Sequence, residues 1–450
     1  MSLEVNAFPF EDTIDVELEV KRATTGEPLL QLFATLEKRE ISYCLLRDGD
    51  RLDQLLDSKE IDLLIREDHL DGLRTIAAEL GFVSLPSWGY APHHFFLKYD
   101  AAADRWLKLD VVTALYYGRP VRALRTALAA TCLERRRRCG PTYIPAAEDE
   151  FLTLLLHCVL DKGRFDPARR QRLQVLSQKI VDRQYLSSRL ASYWAPSMTG
   201  TQLAALIANE DWDEMLAQEK AVVAQITERD KLGTAARRLR ARVLRKLNRW
   251  ADFWQPRVPM VALLAPDGAG KTTLAAGIEM SSYFAVRPIY MGLYQKQNSR
   301  SKRSRIPGLG IIGHLLTQWR RYLSARYHQG RGRLVIFDRY TFDALLSPRQ
   351  TLGVLRRIRR WLLANACPAP DLVIILDAPG ELLHARKGEH TVALLEEQRQ
   401  EYLRLRSQLP HAVVIDAGQD SDAVRREAMS LIWRKFNKHI ATSGGSRQAT

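Results

Sequence analysis

Residues 260–274, MVALLAPDGAGKTTL, pass from an apolar run through a glycine-rich turn into a helix-forming segment. Backbone N–H groups over Asp267, Gly268, Ala269, Gly270 and Lys271 can converge on a phosphate at the helix start, where the helix dipole also favours negative charge. Lys271 would reach the β- and γ-phosphates, the Thr272 hydroxyl would help hold Mg²⁺, and Thr273 completes the run. Ala265 stands where the pattern usually has Gly, so the turn must accommodate a Cβ there. Such a cradle serves chemistry on a nucleoside triphosphate, with ATP and Mg²⁺ as the expected pair.

A second set of groups lies upstream. Glu60 and Asp62 stand at i and i+2, which on a strand points both carboxylates to one face. Asp110 could join them from a neighbouring strand. Three carboxylates so placed suit two divalent metals, which would bind triphosphate and activate an attacking oxygen. His93 and His94 read as ordinary loop residues rather than metal ligands.

Elements must hold these groups. Residues 25–147 predict a small α/β domain, with helices over Leu29–Arg39 and His69–Leu80 and strands over Ile41–Leu46, Ile61–Ile65, Phe95–Tyr99 and Leu107–Val112. Residues 148–255 carry few strand signals and predict helices over Phe151–Leu160, Arg169–Val181 and Gln202–Ala208, then a long basic one. On this last helix Leu232, Ala236, Leu239, Val243, Leu247, Trp250 and Trp254 recur every three or four residues as one stripe. Arg237, Arg238, Arg240, Arg242, Arg245, Lys246 and Arg249 fill much of the remaining surface. Residues 237–249 therefore admit two readings: a connector packing its stripe on a neighbouring domain, or a helix lying on anionic lipid.

Residues 258–440 predict a doubly wound parallel five-stranded sheet, with strands over Met260–Leu264, Pro288–Met291, Leu334–Phe337, Leu372–Leu376 and Ala412–Ile415. Asp338, Asp377 and Asp416 follow three of these strands, and open α/β sheets bind ligands beyond the carboxyl ends of their strands. Residues 441–450, rich in Ser and Gly, predict a disordered tail.

The bulk properties set outer limits. A chain of 450 residues exceeds one ordinary core, so two or three domains are expected. Hydrophobic residues at 46% and charged residues at 26% exclude a disordered polymer. The net charge of +15 favours phosphorylated ligands or an anionic surface; without a fold-specific base reader, nucleic acid ranks last among partners. Cys44, Cys132, Cys139, Cys158 and Cys367 form an odd set without metal-ligand spacing, which fits a reducing, cytoplasmic setting. The acidic residues 1–20 lack the pattern of a secretory signal, and no apolar run reaches the roughly 20 residues that span a bilayer.

The C-terminal region resembles the thymidylate kinase family of P-loop nucleoside-monophosphate kinases. The resemblance is carried by Asp267 to Thr273, by Asp338, Arg339 and Tyr340 after a strand, by Pro370 to Asp377, by His384 to Lys387, and by Val413 to Ala417. It implies that Arg339 grips an anionic acceptor, that Asp338 holds water on Mg²⁺ or orients the acceptor, and that Arg386, with Lys387, closes over the transferring phosphoryl group. Between Met291 and Leu334 the basic run Tyr294–Arg305 stands in place of the family's base-binding pattern, so a phosphorylated or polyanionic acceptor other than dTMP is expected. The region over residues 25–160 resembles the minimal nucleotidyltransferase family, through Leu45 to Gly49 and through Glu60, Asp62 and Asp110 as metal ligands. The whole layout is similar to proteins found with bacterial exopolysaccharide and capsule biosynthesis enzymes.

Three functions follow as expectations. The first is a cytoplasmic ATP- and Mg²⁺-dependent kinase that passes a γ-phosphoryl group to a phosphorylated small molecule, nucleotide or glycan intermediate, and forms a homo-oligomer. The second makes residues 25–147 the main catalyst, transferring NMP under a regulatory P-loop domain. The third is an NTP-gated adaptor held peripherally at the inner membrane face by residues 237–249.

Overall fold

The computed structural model describes residues 27–47, 49–51, 60–194, 199–292, 309–346, 353–409 and 411–444. The chain forms two compact units, Met1–Asn248 and Arg249–Thr450.

The first unit is built on a five-stranded mixed sheet. Its strands are β1 (Tyr43–Leu45), β2 (Glu60–Ile65), β3 (Val83–Leu85), β4 (His93–Asp100) and β5 (Arg105–Val112), in the order β1-β2-β5-β4-β3. Only β2 and β5 run parallel; the other neighbours are antiparallel. Strand alternation sorts the side chains. Ile61, Leu63, Ile65, Leu107, Leu109 and Val111 share one core with Leu29, Leu32, Phe33, Leu73 and Ile76 from the helical residues 27–38 and the helix Leu70–Glu79. Leu64 and Val112, on the opposite face, pack into a second core with Phe151, Leu155, Leu173 and Leu190. Glu60, Asp62 and Asp110 occupy that second face, Glu60 exposed at the strand start and the two aspartates half-buried beneath the helices.

Those helices begin with Ala147–Leu156, which continues as a π-helical turn over His157–Lys162 and stops at Gly163 in a left-handed conformation. Pro167–Lys179, Arg183–Tyr193, Gly200–Ala208, Trp212–Ala217 and Glu219–Arg229 follow. Two hairpins, β6 (Tyr116–Tyr117) with β7 (Leu124–Arg125) and β8 (Arg137–Cys139) with β9 (Thr142–Ile144), escape the sequence pattern because such short strands hold barely one period of alternation. His93 and His94, expected in a loop, are strand residues of β4, paired across from Val112 and Val111.

The residues Lys231–Trp254 form one continuous helix. Its apolar stripe is exposed, while the opposite face packs on the first unit: Arg237 donates to the Ala123 carbonyl and Arg245 to the carbonyls of Gly89 and Pro120.

The second unit is α/β, with a parallel sheet of β10 (Met260–Leu264), β11 (Val286–Tyr290), β12 (Leu334–Asp338), β13 (Leu372–Asp377) and β14 (Ala412–Asp416) in the order β11-β12-β10-β13-β14. The strands β10, β12 and β13 are apolar and almost wholly buried, as central strands covered on both faces must be. The last helix runs Ser421–Gly444, so residues 441–444 are helical where a tail was expected; the rest of that tail, and the basic run Tyr294–Arg305, lie outside the described residues. All five cysteines are free thiols.

Candidate functional site

In the second unit β10 ends at Leu264, and the chain turns through residues 265–270 into the helix Lys271–Ser281. Gly268 and Gly270 have φ of +89° and +87°, a region that side-chain-bearing residues adopt only with strain. A Cβ on Gly268 would also lie 2.7 Å from the Leu383 carbonyl oxygen, so glycine is what lets the helix Gly380–Lys387 approach the turn. Ala265 is buried and its Cβ is accommodated. Among the described residues no acceptor takes the backbone N–H groups of Gly268, Ala269, Gly270 or Lys271. Four donors left open at a helix N-terminus form an anion nest.

The side chains agree with that polarity. Lys271 is buried, and its Nζ donates to the carbonyls of Ala265 at 2.9 Å and Pro266 at 2.8 Å. Burial, reinforced by the nearby Arg339 charge, lowers its pKa to about 8. Thr272 and Thr273 are exposed on the first helical turn.

Strand β12 delivers the partner group. Arg339 follows Asp338 with φ +62°, and its backbone N–H donates to the Leu263 carbonyl on β10 at 3.2 Å. This turn swings the guanidinium across the cradle, 2.5 Å from Asp267 Oδ1 and 3.5 Å from Asp343 Oδ2. Burial would raise the Asp267 pKa, but Arg339 and Lys271 together hold it below the usual carboxylate range. In Asp343 burial prevails over Arg339, and its pKa is raised. The Tyr402 hydroxyl donates to Asp343 at 3.1 Å. Sequence reading missed Asp343 and Tyr402. Asp343 sits four residues after Arg339, in the short helix Thr341–Leu345, and could have been found by that spacing; Tyr402 has no local signal.

Arg386, expected to close over a transferring phosphoryl group, stands near the end of the helix whose Leu383 carbonyl meets the Gly268 turn. It is exposed and donates to the Ala417 carbonyl at 3.0 Å, just beyond β14, while Lys387 pairs with Glu389 at 3.2 Å. Asp377 is held by two bonds from Arg399, at 2.5 and 3.0 Å.

The acids of the first unit also come together. Register places Asp62 directly beside Asp110, and the oxygens of Glu60, Asp62 and Asp110 lie within 4.8 Å of one another. Burial, together with the charges of Asp110 and Glu60, raises the Asp62 pKa against the pull of Arg47 at 3.1 Å. His93 Nδ1 lies 2.6 Å from Asp110 Oδ1, and Arg122 reaches His93 Nε2. An arginine donates and a carboxylate accepts, so a neutral His93 would carry its proton on Nδ1, towards Asp110. Sequence reading took this histidine for a loop residue, and only the β4–β5 pairing sets it beside Asp110.

A cavity of about 580 Å³ opens on these acids and is lined also by Arg47, Arg122, Lys162, Arg169 and Arg172. Carboxylates on one wall with cations around them suit a divalent ion and a polyphosphate. His157, from the π-turn, lines the same cavity; its Nδ1 is 2.9 Å from Asp161, and burial lowers its pKa to about 4. Single π-turns inside α-helices are frequent at functional sites.

A parallel sheet, a glycine-turned anion nest and an arginine from the adjacent strand define the second unit as a P-loop phosphotransferase. No family model matches the chain. A thymidylate kinase of Xanthomonas campestris pv. campestris (strain B100) is 30% identical over 191 residues, covering 38% of this chain and 82% of that protein. A thymidylate kinase of Xylella fastidiosa (strain 9a5c) is 27% identical over 205 residues, covering 41% of this chain and 95% of its own length. Among solved structures, deoxyadenosine kinase from M. mycoides with bound dATP covers 38% of this chain and 97% of that one, with 14% identity and a TM-score of 0.27. The chain belongs to the thymidylate kinase family over about 38% of its length.

Proposed function

We propose that the second unit is an ATP-dependent nucleotide kinase, which transfers the γ-phosphoryl group to the phosphate of a nucleoside monophosphate or another phosphorylated small molecule. The observation that carries this reading is the meeting of Arg339 with Asp267 at the glycine turn, a cation that could grip an acceptor beside open backbone donors that could hold a phosphate. An acceptor phosphate oxygen attacks the γ-phosphorus, the bond to the β,γ-bridging oxygen breaks, and ADP leaves. The backbone donors of Gly268–Lys271 and the Lys271 ammonium stabilise charge on the β- and γ-phosphates; Arg339 would release Asp267 to take the acceptor phosphate. The Thr272 hydroxyl and Asp338 carboxylate are oxygen donors of the kind Mg²⁺ takes, and the ion would neutralise the β- and γ-phosphates.

The acceptor is open to a direct test. Nucleoside monophosphates, dTMP among them, and phosphorylated glycan intermediates are incubated with ATP and Mg²⁺ and followed by mass spectrometry. Gain of one phosphate, abolished in Lys271→Ala, is the expected result; gain that persists in that variant would overturn the assignment. Glycan intermediates belong in the panel because the sequence layout resembles that of polysaccharide-associated proteins.

A second reading concerns the first unit and is favoured by the Asp62–Asp110 register beneath the cation-lined cavity. It is nucleotidyl transfer: an acceptor oxygen attacks the α-phosphorus of a triphosphate and pyrophosphate leaves, with Glu60, Asp62 and Asp110 able to hold divalent ions that would polarise the α-phosphate. Pyrophosphate release lost in Asp62→Ala and kept in Lys271→Ala is the expected signature. Its absence with every triphosphate and acceptor of the panel would count against this reading alone.

A further inference from the structure

We propose that the helix Lys231–Trp254 docks this chain flat on an anionic lipid surface. A surface helix ordinarily buries its apolar stripe, but this one does the reverse. Leu232 is 86% exposed, Leu239 65%, Leu247 50%, Trp250 68% and Trp254 63%, all on one side of the helix. The opposite side is the anchored one, where Thr234 is buried and Arg237 and Arg245 donate to backbone carbonyls of the first unit. The stripe therefore faces outward because the basic face has taken the inward position.

The flanks of the stripe identify what covers it. Arg240, Arg242, Lys246 and Arg249 are exposed beside the apolar ridge, and none forms an ion pair among the described residues. The helix carries no acid before Asp252, which lies on the inward side and pairs with Arg257 at 2.9 Å. A second copy docking through the same stripe would bring eight such cations together with no carboxylate of the helix between them. An anionic membrane supplies both requirements at once: acyl chains for Leu239, Val243 and Leu247, and headgroup phosphates for the four cations. Trp250 and Trp254, in edge contact at one end, have the amphipathic rings that settle at headgroup depth. No helix among the described residues is long and apolar enough to cross a membrane. The lipid docking stands independently of either catalytic reading.

The experiment is co-sedimentation of the full chain with phosphatidylserine-rich vesicles and with pure phosphatidylcholine vesicles, alongside sedimentation velocity without lipid. Binding to the anionic vesicles at least tenfold stronger than to the neutral ones is expected, weakening as salt is raised. Val243→Glu with Leu247→Glu should abolish it. Neutralising Arg240, Arg242, Lys246 and Arg249 to Gln should weaken it by about fivefold per residue before screening. Circular dichroism melts confirm that both variants fold, as surface substitutions should. No co-sedimentation with anionic vesicles, undiminished binding by the Glu variant, or a lipid-free dimer dispersed by that same variant would each overturn the proposal.

Discussion

Arg339→Ala separates acceptor recognition from architecture. The guanidinium spans Asp267 and Asp343, with a quarter of its side chain exposed and Asp343 almost buried. If it also grips the acceptor phosphate, removal forfeits a charge-assisted hydrogen bond worth about 1.5–3 kcal/mol, or roughly a tenfold to hundredfold fall in acceptor kcat/KM. The same change leaves Asp343 without its cation, costing about 1–2 kcal/mol of stability after allowance for the exposed part of the pair. Two companion variants keep these effects apart. Arg339→Gly removes the same group but relieves the backbone at φ +62°, and should be about 1 kcal/mol more stable than the Ala variant with the same kinetic defect. Asp343→Asn combined with Arg339→Ala should recover stability and leave acceptor use impaired. ADP release with acceptor titration and urea unfolding measure the two axes. Unchanged acceptor kcat/KM would refute the assigned role, and a Gly variant no more stable than Ala would refute the backbone argument.

Three further outcomes follow from the same geometry. Lys271 has a folded pKa of about 8 against an ordinary 10.5, so between those values the native state binds fewer protons than the unfolded chain and stability rises with pH. Lys271→Met should therefore abolish turnover yet be more stable than the parent at neutral pH by on the order of 1 kcal/mol, a gain that shrinks in alkaline melts. The Asp62 pKa is raised, so its contribution to stability is present in acid and lost as pH rises through the folded value. Asp62→Asn, which mimics the protonated acid, should melt higher than the parent at neutral pH and lose any Mn²⁺-induced rise in Tm; an equal Mn²⁺ shift in both proteins would exclude a cation there. Gly268→Ala puts a Cβ 2.7 Å from the Leu383 carbonyl at a φ of +89°, and a cost of about 2 kcal/mol should weaken nucleotide binding about thirtyfold in a fluorescent-nucleotide titration. Unaltered affinity would mean that the turn is not the nucleotide cradle.

Local chemistry was legible along the chain wherever a single element carries it. The run from Met260 to Thr273 encodes strand, turn and helix in consecutive residues, and Met260–Leu264 forms as the apolar pattern requires. Glu60 and Asp62 share a face because strand geometry leaves no alternative at i and i+2. These are consequences of backbone sterics and periodicity, which act over a few residues. Pairings across the chain were not legible in that way. Arg339 meets Asp267 across 72 residues, and Arg386 donates to the Ala417 carbonyl 31 residues on. His93 becomes a partner of Asp110 only because β4 and β5 pair in one register of several that their alternation would allow. The helix Lys231–Trp254 is the sharpest case: its stripe is plain in the residues, but which side turns inward depends on carbonyls at Gly89, Pro120 and Ala123 waiting for Arg245 and Arg237. Periodicity defines a helix's faces, whereas the competition between neighbours for each face is settled by the assembled surface against which it lies.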